Sequence, residues 1–392
     1  MALTVKKSTI KRRRHSRSGF LTLVMLVIIL FLMVAVILLQ FPFFANKGRP
    51  RIDKEQISGI EAFPLDAVNA KNTYALPGNQ VMKVSDGQIQ LTNLQGEVEL
   101  SLDGNITDPK LLIRDNMFLL VEQNGFHYYL FKDAELVYSG KTDHPIISYN
   151  FAPDGHAALV MEAEGTKGLV SVLDPKGELL FTLTVQDNKD SGFVLSTAFS
   201  YDCKSLYVSM INVAGAIQEP IINAYSLENQ NLAKIIAQYK PSVKSPLPLI
   251  YSFDDGNTVF AGAEAMVLLR SGELSQPGKL NGFTHGGKMK DTFFFIGSSN
   301  AAGPYYFNVV KNLEKFPGKP ENGYQLPDIP REVQSNGNYV AVLVGDDMYR
   351  FSAGSPNTPA VFAMQGKVQH FAVDSHGNIL CVCSDGVRKI IN

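Results

Sequence analysis

The sequence predicts an all-β protein built from repeated four-stranded antiparallel sheets, and two observations support this prediction. The first is the stretch 146–185, in which short apolar runs alternate with the turns Pro153-Asp154-Gly155 and Asp174-Pro175-Lys176-Gly177. In such turns Pro presets φ, Asp accepts a nearby backbone N–H, and Gly adopts a positive φ without a Cβ clash. The second observation is that versions of this stretch recur along the chain.

The recurring signal is an apolar run, a turn and a second apolar run. Copies lie at 199–202, 253–256, 333–337 and 371–377, with weaker copies at 77–79, 113–116 and 290–291. Their spacing is about 43 residues, within the range of a four-stranded propeller blade. A single sheet of this kind cannot bury both faces, whereas radial stacking buries them. The sequence therefore predicts a β-propeller of eight blades, with seven as the alternative if the first or sixth copy is spurious.

The last copy predicts how the ring closes. It runs out at Asn392 after its third strand, and segment 57–63 precedes the first full copy and is free to supply a fourth strand. We therefore expect 57–63 to pair with the last blade, because an unpaired edge would promote aggregation. Residues 56–392 show no helical periodicity long enough to form a second domain.

The N-terminal part of the sequence predicts a membrane anchor. The stretch from Phe20 to Leu39 is apolar except for Thr22, which is long enough to span a bilayer as a helix. Seven basic residues and no acidic residue precede it, so the N-terminus is predicted to be cytoplasmic. The predicted organisation is a basic cytoplasmic tail (1–19), a single-pass transmembrane signal-anchor helix (20–44), a linker (45–55) and an extracytoplasmic propeller (56–392). A cleaved secretory signal is the rival interpretation, but the apolar run is long and the following residues form a poor cleavage site.

The distribution of charge limits the classes of partner. All 37 acidic residues follow the predicted span, whereas seven of the 36 basic residues precede it, so the outer part is acidic. An acidic domain is a poor nucleic-acid binder, because neutralising phosphates supplies most of that affinity. The basic tail is better explained by membrane topology and by contact with anionic headgroups. No nucleic-acid partner is predicted.

Known catalytic and metal-binding patterns are not found in the sequence. The histidines show no paired ligand spacing, and there is no GxSxG, P-loop or dinucleotide motif. Four aspartates recur at the corresponding turn of different copies, which predicts turn caps rather than catalytic carboxylates: Asp154, Asp202, Asp254 and Asp374. Cys381 and Cys383 lie two apart on one strand and are poorly placed to bridge, so a disulfide is not expected. No catalytic residue, metal or cofactor is predicted.

The repeats resemble those of the WD40-like and PD40/YVTN propellers. The resemblance rests on the degenerate Asp-Gly turns, such as Asp154-Gly155 and Asp255-Gly256, and on their spacing, although the WD dipeptide itself is absent. The whole chain resembles an uncharacterised family of membrane-anchored bacterial proteins, mainly Gram-positive, with one N-terminal span and an outer propeller. The resemblance implies the fold and the anchor, and it implies no activity and no site residues.

Loop lengths suggest where a partner binds. In a four-stranded blade, the loops from second to third strand and from blade to blade open on one rim, which we call the connection rim. The turns from first to second and from third to fourth strand open on the other, the turn rim. The long loops are assigned to the connection rim: 186–192, 212–220, 239–248, 298–304 and 316–330. We expect this rim to face away from the membrane.

Three tyrosines in or next to these loops are the predicted contact residues, because aromatic side chains are enriched in binding hot spots: Tyr305, Tyr306 and Tyr324. Two alternatives stay open. Neighbouring residues on a strand face opposite ways, so at least one of Tyr305 and Tyr306 can belong to a strand instead. The long loops can also reflect tolerated drift, because the entropy of closing a loop rises slowly with its length.

Two classes of function fit the sequence. The first is a non-enzymatic binding or scaffolding platform for a protein or cell-envelope glycan. The alternative is a propeller-type hydrolase or lyase acting on a surface polysaccharide in the central channel. The inner strands assigned at 146–151, 247–253 and 366–373 are mostly apolar, which favours the first. A sensor that signals to the cytoplasmic tail is disfavoured, because 19 residues are too few to fold as an output domain.

Overall fold

The structure is a computed structural model in which the regular elements are β-strands. It describes residues 60–63, 73–77, 79–85, 87–114, 116–228, 232–280, 282–298, 303–310, 323–364, 366–384 and 386–392. Among these residues there is no helix long and apolar enough to cross a membrane. The predicted tail, anchor and linker lie outside the described residues.

The strands form eight antiparallel sheets, which are the blades. Blade 1 contains β2 (Thr73–Ala75), β3 (Val81–Ser85), β4 (Gln88–Thr92) and β5 (Val98–Asp103), and blade 2 contains β6 (Pro109–Arg114), β7 (Met117–Glu122), β8 (His127–Lys132) and β9 (Glu135–Lys141). Blade 3 contains β10 (Ile146–Phe151), β11 (Ala157–Met161), β12 (Thr166–Leu173) and β13 (Leu179–Gln186), and blade 4 contains β14 (Phe193–Phe199), β15 (Ser205–Asn212), β16 (Glu219–Ser226) and β17 (Lys234–Tyr239).

The second half of the chain repeats this arrangement. Blade 5 contains β18 (Leu249–Ser252), β19 (Thr258–Ala261), β20 (Ala265–Arg270) and β21 (Glu273–Leu274), with β22 (Gly278–Lys279) also paired to β20. Blade 6 contains β23 (His285–Met289), β24 (Thr292–Ser298), β25 (Tyr305–Val310) and β26 (Tyr324–Leu326), and blade 7 contains β27 (Glu332–Asn336), β28 (Tyr339–Val344), β29 (Asp347–Ser352) and β30 (Ser355–Ala363). Blade 8 contains β31 (Val368–Val373), β32 (Ile379–Cys383), β33 (Gly386–Ile390) and β1 (Ile60–Phe63). The predicted eight-bladed propeller is confirmed, and the seven-bladed alternative was wrong.

The position of a strand within its blade determines its burial. Second strands such as β11 and β32 are buried at every residue, because both faces of the sheet are covered there. Outer strands such as β13 alternate between exposed and buried residues. This gradient explains why the second strands appear in the sequence as continuous apolar runs.

The apolar core consists of layers between neighbouring blades. Between blades 3 and 4, for example, Val160 of β11 and Val208 of β15 belong to one buried cluster. Between blades 6 and 7, Phe307 and Phe351 stack with their ring centroids 3.8 Å apart. Each blade therefore depends on its two neighbours for burial of its faces.

The aspartates of the turns were predicted to be caps, and three of the four are. The carboxylates of Asp154, Asp202 and Asp374 accept hydrogen bonds from the backbone N–H two residues further on, at 3.2, 3.2 and 2.9 Å. The prediction was wrong for Asp254. In that turn Asp255, which directly precedes Gly256, accepts the bond from Asn257 N at 3.0 Å.

The ring is closed by strands from opposite ends of the described chain. β1 pairs antiparallel with β33, with Ile60 opposite Ile390 and Phe63 opposite Val387. Blade 8 therefore takes three strands from the C-terminal side and its outer strand from the N-terminal side. An apolar cluster that includes Tyr74 of blade 1 and Val382 of blade 8 joins the two blades that meet at this seam.

Removing β1 tests whether the closure stabilises the ring. A chain that begins at Pro64 lacks the strand that covers the outer edge of β33, whereas a chain that begins at Gln56 retains it. We expect the shorter chain to melt roughly 5–10 °C lower, because the backbone hydrogen bonds between β1 and β33 are lost. It should also self-associate, because a free strand edge recruits other strands. Equal melting temperatures and equal sedimentation of the two chains would show that closure is dispensable.

Candidate functional site

The connection rim is uneven around the ring. Long connections occur on the neighbouring blades 3, 4 and 5, at 187–192, 213–218 and 240–248, and we call these three segments the long-connection sector. By contrast, only residues 345–346 join β28 to β29 on the same rim of blade 7. Three of the five long loops predicted from the sequence contribute to this sector.

Buried polar side chains hold the first part of the sector in place. The ammonium of Lys167 is almost fully buried, and it donates to the carbonyl oxygens of Asn188 at 2.6 Å and Ser191 at 3.0 Å. The amide of Asn212 donates to Lys189 O at 2.8 Å, which ties segment 187–192 to the next blade. Because a buried ammonium is costly without hydrogen-bond partners, these contacts fix the loop in one conformation.

Segment 240–248 is fixed in a similar way. Ser209 Oγ donates to Leu247 O at 2.7 Å, and Ser196 Oγ donates to Pro248 O. A Cβ at Gly262 would lie 1.9 Å from Pro246 O, so the loop lies so close to blade 5 that only glycine fits at this position. Segments 187–192 and 240–248 are therefore rigid parts of the scaffold.

Three large apolar side chains on the sector remain in contact with solvent. Phe193 follows segment 187–192 directly, and Val213 and Ile217 lie in segment 213–218. Each keeps close to half of its surface exposed. The Lys167 Nζ lies 5.6 Å from the centroid of the Phe193 ring, a cation–π contact that orients the ring. Grouped exposed apolar side chains are typical of surfaces that bind proteins.

The three predicted contact tyrosines all lie in strands of blade 6. Tyr305 and Tyr306 begin β25 and are half-buried, next to the connection that follows β24 on the connection rim. Tyr324 begins β26, and its ring packs against Tyr349 and Phe351 of blade 7, with centroids 6.2 and 5.6 Å apart. That any of the three binds a partner stays a prediction.

Part of the loop assigned as 316–330 belongs to the other rim. β25 is a third strand and β26 a fourth strand, so the end of β25 and the start of β26 at Tyr324 lie on the turn rim, and assigning the whole of 316–330 to the connection rim was wrong. Residues 316–322 of that loop lie outside the described residues. Only 327–331, between β26 and β27, lies on the connection rim. The sequence could not separate the two because β26 is only three residues long.

The inner strands of the blades enclose a central cavity of about 1030 Å³. Its lining includes charged side chains from β6, β23 and β27, namely Lys110, Arg114, Lys288 and Glu332. The inner strands assigned from the sequence, those of blades 3, 5 and 8, are mostly apolar, but the inner strands of blades 2, 6 and 7 add these charged side chains to the cavity. The short polar runs of β23 and β27 are weak strand signals in the sequence, so these charges were missed.

A charged cluster of the cavity links blades 4, 5 and 6 at its turn-rim end. Lys288 Nζ forms an ion pair with Asp254, and it lies 5.3 Å from the ring centroid of Tyr201 and 5.6 Å from that of Phe253. The hydrogen bond from Lys288 lowers the pKa of the Asp254 carboxyl, and the Asp254 charge raises the pKa of Tyr201. The cluster therefore holds Asp254 as a carboxylate. In this form its side chain can bond blade 5 to blade 6, but it cannot act as a proton donor.

Within the described ranges, no group of three or more His, Cys, Asp or Glu side chains is arranged to hold a metal ion. Cys381 and Cys383 are buried thiols, and burial raises the pKa of Cys381 well above its usual range. A buried thiol of this kind is a poor nucleophile, because the reactive species is the thiolate.

A buried carboxylate organises the connection rim beside blades 1 and 2. Glu122 accepts hydrogen bonds from Thr107 N, Thr107 Oγ1, Phe126 N and the ring of His127, at 2.9–3.2 Å. Burial acts to raise the pKa of Glu122, but the bonds from His127, Phe126 and Thr107 outweigh it and lower the pKa from 4.5 to about 2. The Glu122 carboxylate is thus bonded both to the segment between β5 and β6, which connects blade 1 to blade 2, and to the turn between β7 and β8.

Comparison with solved structures places the chain among the β-propellers. BamB from Moraxella catarrhalis is similar with a TM-score of 0.52 and 11% sequence identity, over 84% of this chain and 99% of that one. The C-terminal WD40 domain of Sif2 is similar with a TM-score of 0.53 and 11% identity, over 84% of this chain and 98% of that one. At this identity the likeness concerns the fold alone.

The sequence profile of DUF5711, described as a family of unknown function, matches residues 56–295. The chain belongs to this family, since the match covers more than half of its length. No curated protein matches the sequence.

The Glu122 site makes stability depend on pH. A carboxyl group whose pKa is lower in the folded state stabilises the fold above its unfolded pKa and loses that effect as the pH falls through its folded pKa. We expect Glu122→Gln to lower the free energy of unfolding by about 2 kcal/mol at pH 7. The difference from wild type should shrink between pH 4.5 and about 2, because protonated Glu122 resembles glutamine.

Denaturant unfolding at a series of pH values measures this difference. Glu178→Gln, at an exposed position, is the matched control and should leave the unfolding free energy unchanged. A Glu122→Gln deficit that stays constant from pH 7 to pH 2 would contradict the assignment.

Proposed function

We propose that the chain is an extracytoplasmic docking platform for a protein, anchored in the cell membrane by the helix from Phe20 to Leu39, with the long-connection sector as its contact surface. The observation that carries the proposal is the exposure of Phe193, Val213 and Ile217 on one sector of the rim. Phe193 directly follows a segment that the hydrogen bonds of Lys167 and Asn212 hold fixed. An apolar group that is already ordered loses little entropy on binding, so this residue favours association.

The chemistry of the sector favours a protein over a glycan at this rim. Its exposed centre is aromatic and aliphatic, and such side chains fill pockets in protein partners. Tyr305 and Tyr306 begin β25 on the same rim of blade 6, so they would extend the contact surface beyond blade 5. Loops carried by a rigid sheet scaffold are also where binding residues of folded domains are concentrated.

The alternative of a hydrolase or lyase is less well supported by the central cavity. Glycoside hydrolysis uses two carboxyl groups that flank the bond to be cleaved. In the cavity, Asp254 is bound to Lys288, and Glu332 accepts a hydrogen bond from Gln334 at 3.1 Å and lies 3.9 Å from His370 Nδ1. These carboxylates are engaged with neighbouring blades or with their own strand, as expected for groups that hold the ring together.

The membrane topology in this proposal is tested by labelling single cysteines in intact cells. In a Cys203→Ser background, Glu178→Cys places a thiol on the exposed surface of blade 3, and Ser8→Cys places one in the basic tail. A membrane-impermeant maleimide should label residue 178 in intact cells and residue 8 only after lysis, because positive residues stay on the cytoplasmic side. Labelling of residue 8 in intact cells, or of residue 178 only after lysis, would overturn the topology.

Docking through the sector is tested by removing its apolar groups. The sector variant carries Phe193→Ser, Val213→Ser and Ile217→Ser. The matched control carries Val98→Ser, Leu136→Ser and Leu179→Ser, which remove equally exposed side chains from outer strands of blades 1, 2 and 3. Each full-length chain is cross-linked in its native membrane and captured, and the partners are quantified by mass spectrometry.

We expect one protein to be recovered with the wild type and the control and to fall at least about tenfold with the sector variant, since this corresponds to about 1.4 kcal/mol of binding. Recovery of the same protein by all three chains, or of none by the wild type, would overturn the proposal. Equal melting temperatures of the three chains establish that any loss reflects the surface and not the fold.

A further inference from the structure

A polar groove of about 590 Å³ lies on the turn rim, where blades 8, 1 and 2 meet. It is separate from the central cavity and lies on the rim opposite the long-connection sector. Its polar lining combines five amide side chains with two carboxylates and one ammonium group: Asn79, Gln80, Asn93, Gln95, Asn116, Glu99, Asp133 and Lys389. Nothing in the proposed docking function uses this groove.

The groove is held in shape by pairs that each join one charged group to one neutral amide. The Asn116 amide donates to Asp133 Oδ1 at 2.7 Å, and the Gln80 amide donates to Glu99. On the facing wall, Lys389 Nζ of blade 8 donates to Asn79 Oδ1 of blade 1 at 3.1 Å. These bonds order the side chains before any ligand arrives.

The paired side chains can form further hydrogen bonds with a ligand in the groove. An amide has two N–H donors and two acceptor lone pairs, a carboxylate has about four acceptor sites, and an ammonium has three donors. Among the described residues each pair uses one donor and one acceptor, which leaves further donors and acceptors for a ligand. Hydroxyl groups both donate and accept, so a ligand with adjacent hydroxyls can satisfy such a set, and a site built this way discriminates strongly against ligands that lack them.

Apolar surface in the groove complements these polar walls. The half-buried side chains of Leu94 and Ala134 line the groove, and Phe118 lies beneath them, almost fully buried. The Phe118 ring is held rigidly, since it stacks on Phe131 with centroids 4.7 Å apart and planes inclined by 15°. A sugar ring has this combination of features, with hydroxyls around its edge and C–H groups on its faces. The groove volume is also within the range of small-molecule sites.

We infer that this groove binds a neutral saccharide of one or two rings. We expect a neutral ligand because the carboxylates oppose an anion, and because neutral amides, which hydrogen-bond to uncharged hydroxyls, make up most of the polar lining. Amide side chains carry most of the recognition, with Asn116 and Gln95 donating to and accepting from ring hydroxyls. The saccharide is a free sugar or a unit of a polysaccharide, which present the same chemistry to the groove.

Saturation-transfer NMR with the full-length chain, in a detergent without a sugar head group, tests this inference. The probes are maltose, cellobiose and N,N′-diacetylchitobiose, and at least one should bind with a dissociation constant on the order of 1 mM. Asn116→Ala should weaken that binding about tenfold. Binding should change little between low and high salt, because screening affects charged ligands. Sedimentation with cellulose or chitin distinguishes a polymer-borne unit from a free sugar.

Two further variants make the result specific to the groove. Gln95→Ala removes an exposed amide from a turn, so it should weaken binding without unfolding the chain. It therefore tests the groove even if Asn116→Ala lowers the melting temperature. Gln88→Ala is the matched control, because Gln88 forms a similar exposed pair with Asp103, at 3.4 Å, on the opposite rim of blade 1. Absence of binding by all three sugars, or equal binding by wild type, Asn116→Ala and Gln95→Ala, overturns the inference. The docking proposal is unaffected by either outcome.

Discussion

The structure depends on one constraint, which is that every blade has two apolar faces and only a neighbouring blade can cover them. The buried clusters lie between blades, as with Val160 of β11 and Val208 of β15. Burial of this kind contributes about 25 cal/mol per Å² of apolar surface, and it is available to each blade only if the ring is complete. Closure through β1 and β33 is therefore what allows the first and last blades to be as stable as the others.

Most of the fold could be predicted from the sequence because the signals that define it are local. A turn such as Asp154-Gly155 specifies its own conformation, and a buried second strand such as β11 appears as an apolar run. The repeat of these signals predicts the number of blades. Short strands give too weak a local signal to be predicted in this way. β26 has only three residues, and because the sequence did not reveal it, part of one loop was assigned to the wrong rim. At such places tertiary pairing, which the local sequence does not encode, decides the structure.

The candidate sites were harder to predict because they depend on which residues the ring brings together. Lys288 and Asp254 lie far apart in sequence, and they meet because β18 and β23 are neighbouring inner strands. Lys389 and Asn79 come from the two sides of the seam. Loop length identified the sector that contains Val213 and Ile217, but the buried Lys167 that fixes its neighbouring segment had no signature in the sequence. Spatial proximity in a ring is a property of the whole chain.

The pairing of β1 with β33 also has a consequence for the order of events during synthesis. The two strands that seal the ring are the first and the last of the described strands, so the seal cannot form until translation has reached β33. Until then the nascent chain carries an incomplete arc whose two end faces are uncovered, and contacts this distant in sequence form slowly. A chain that crosses a membrane during synthesis would complete its fold only on the far side, after its final strand emerged.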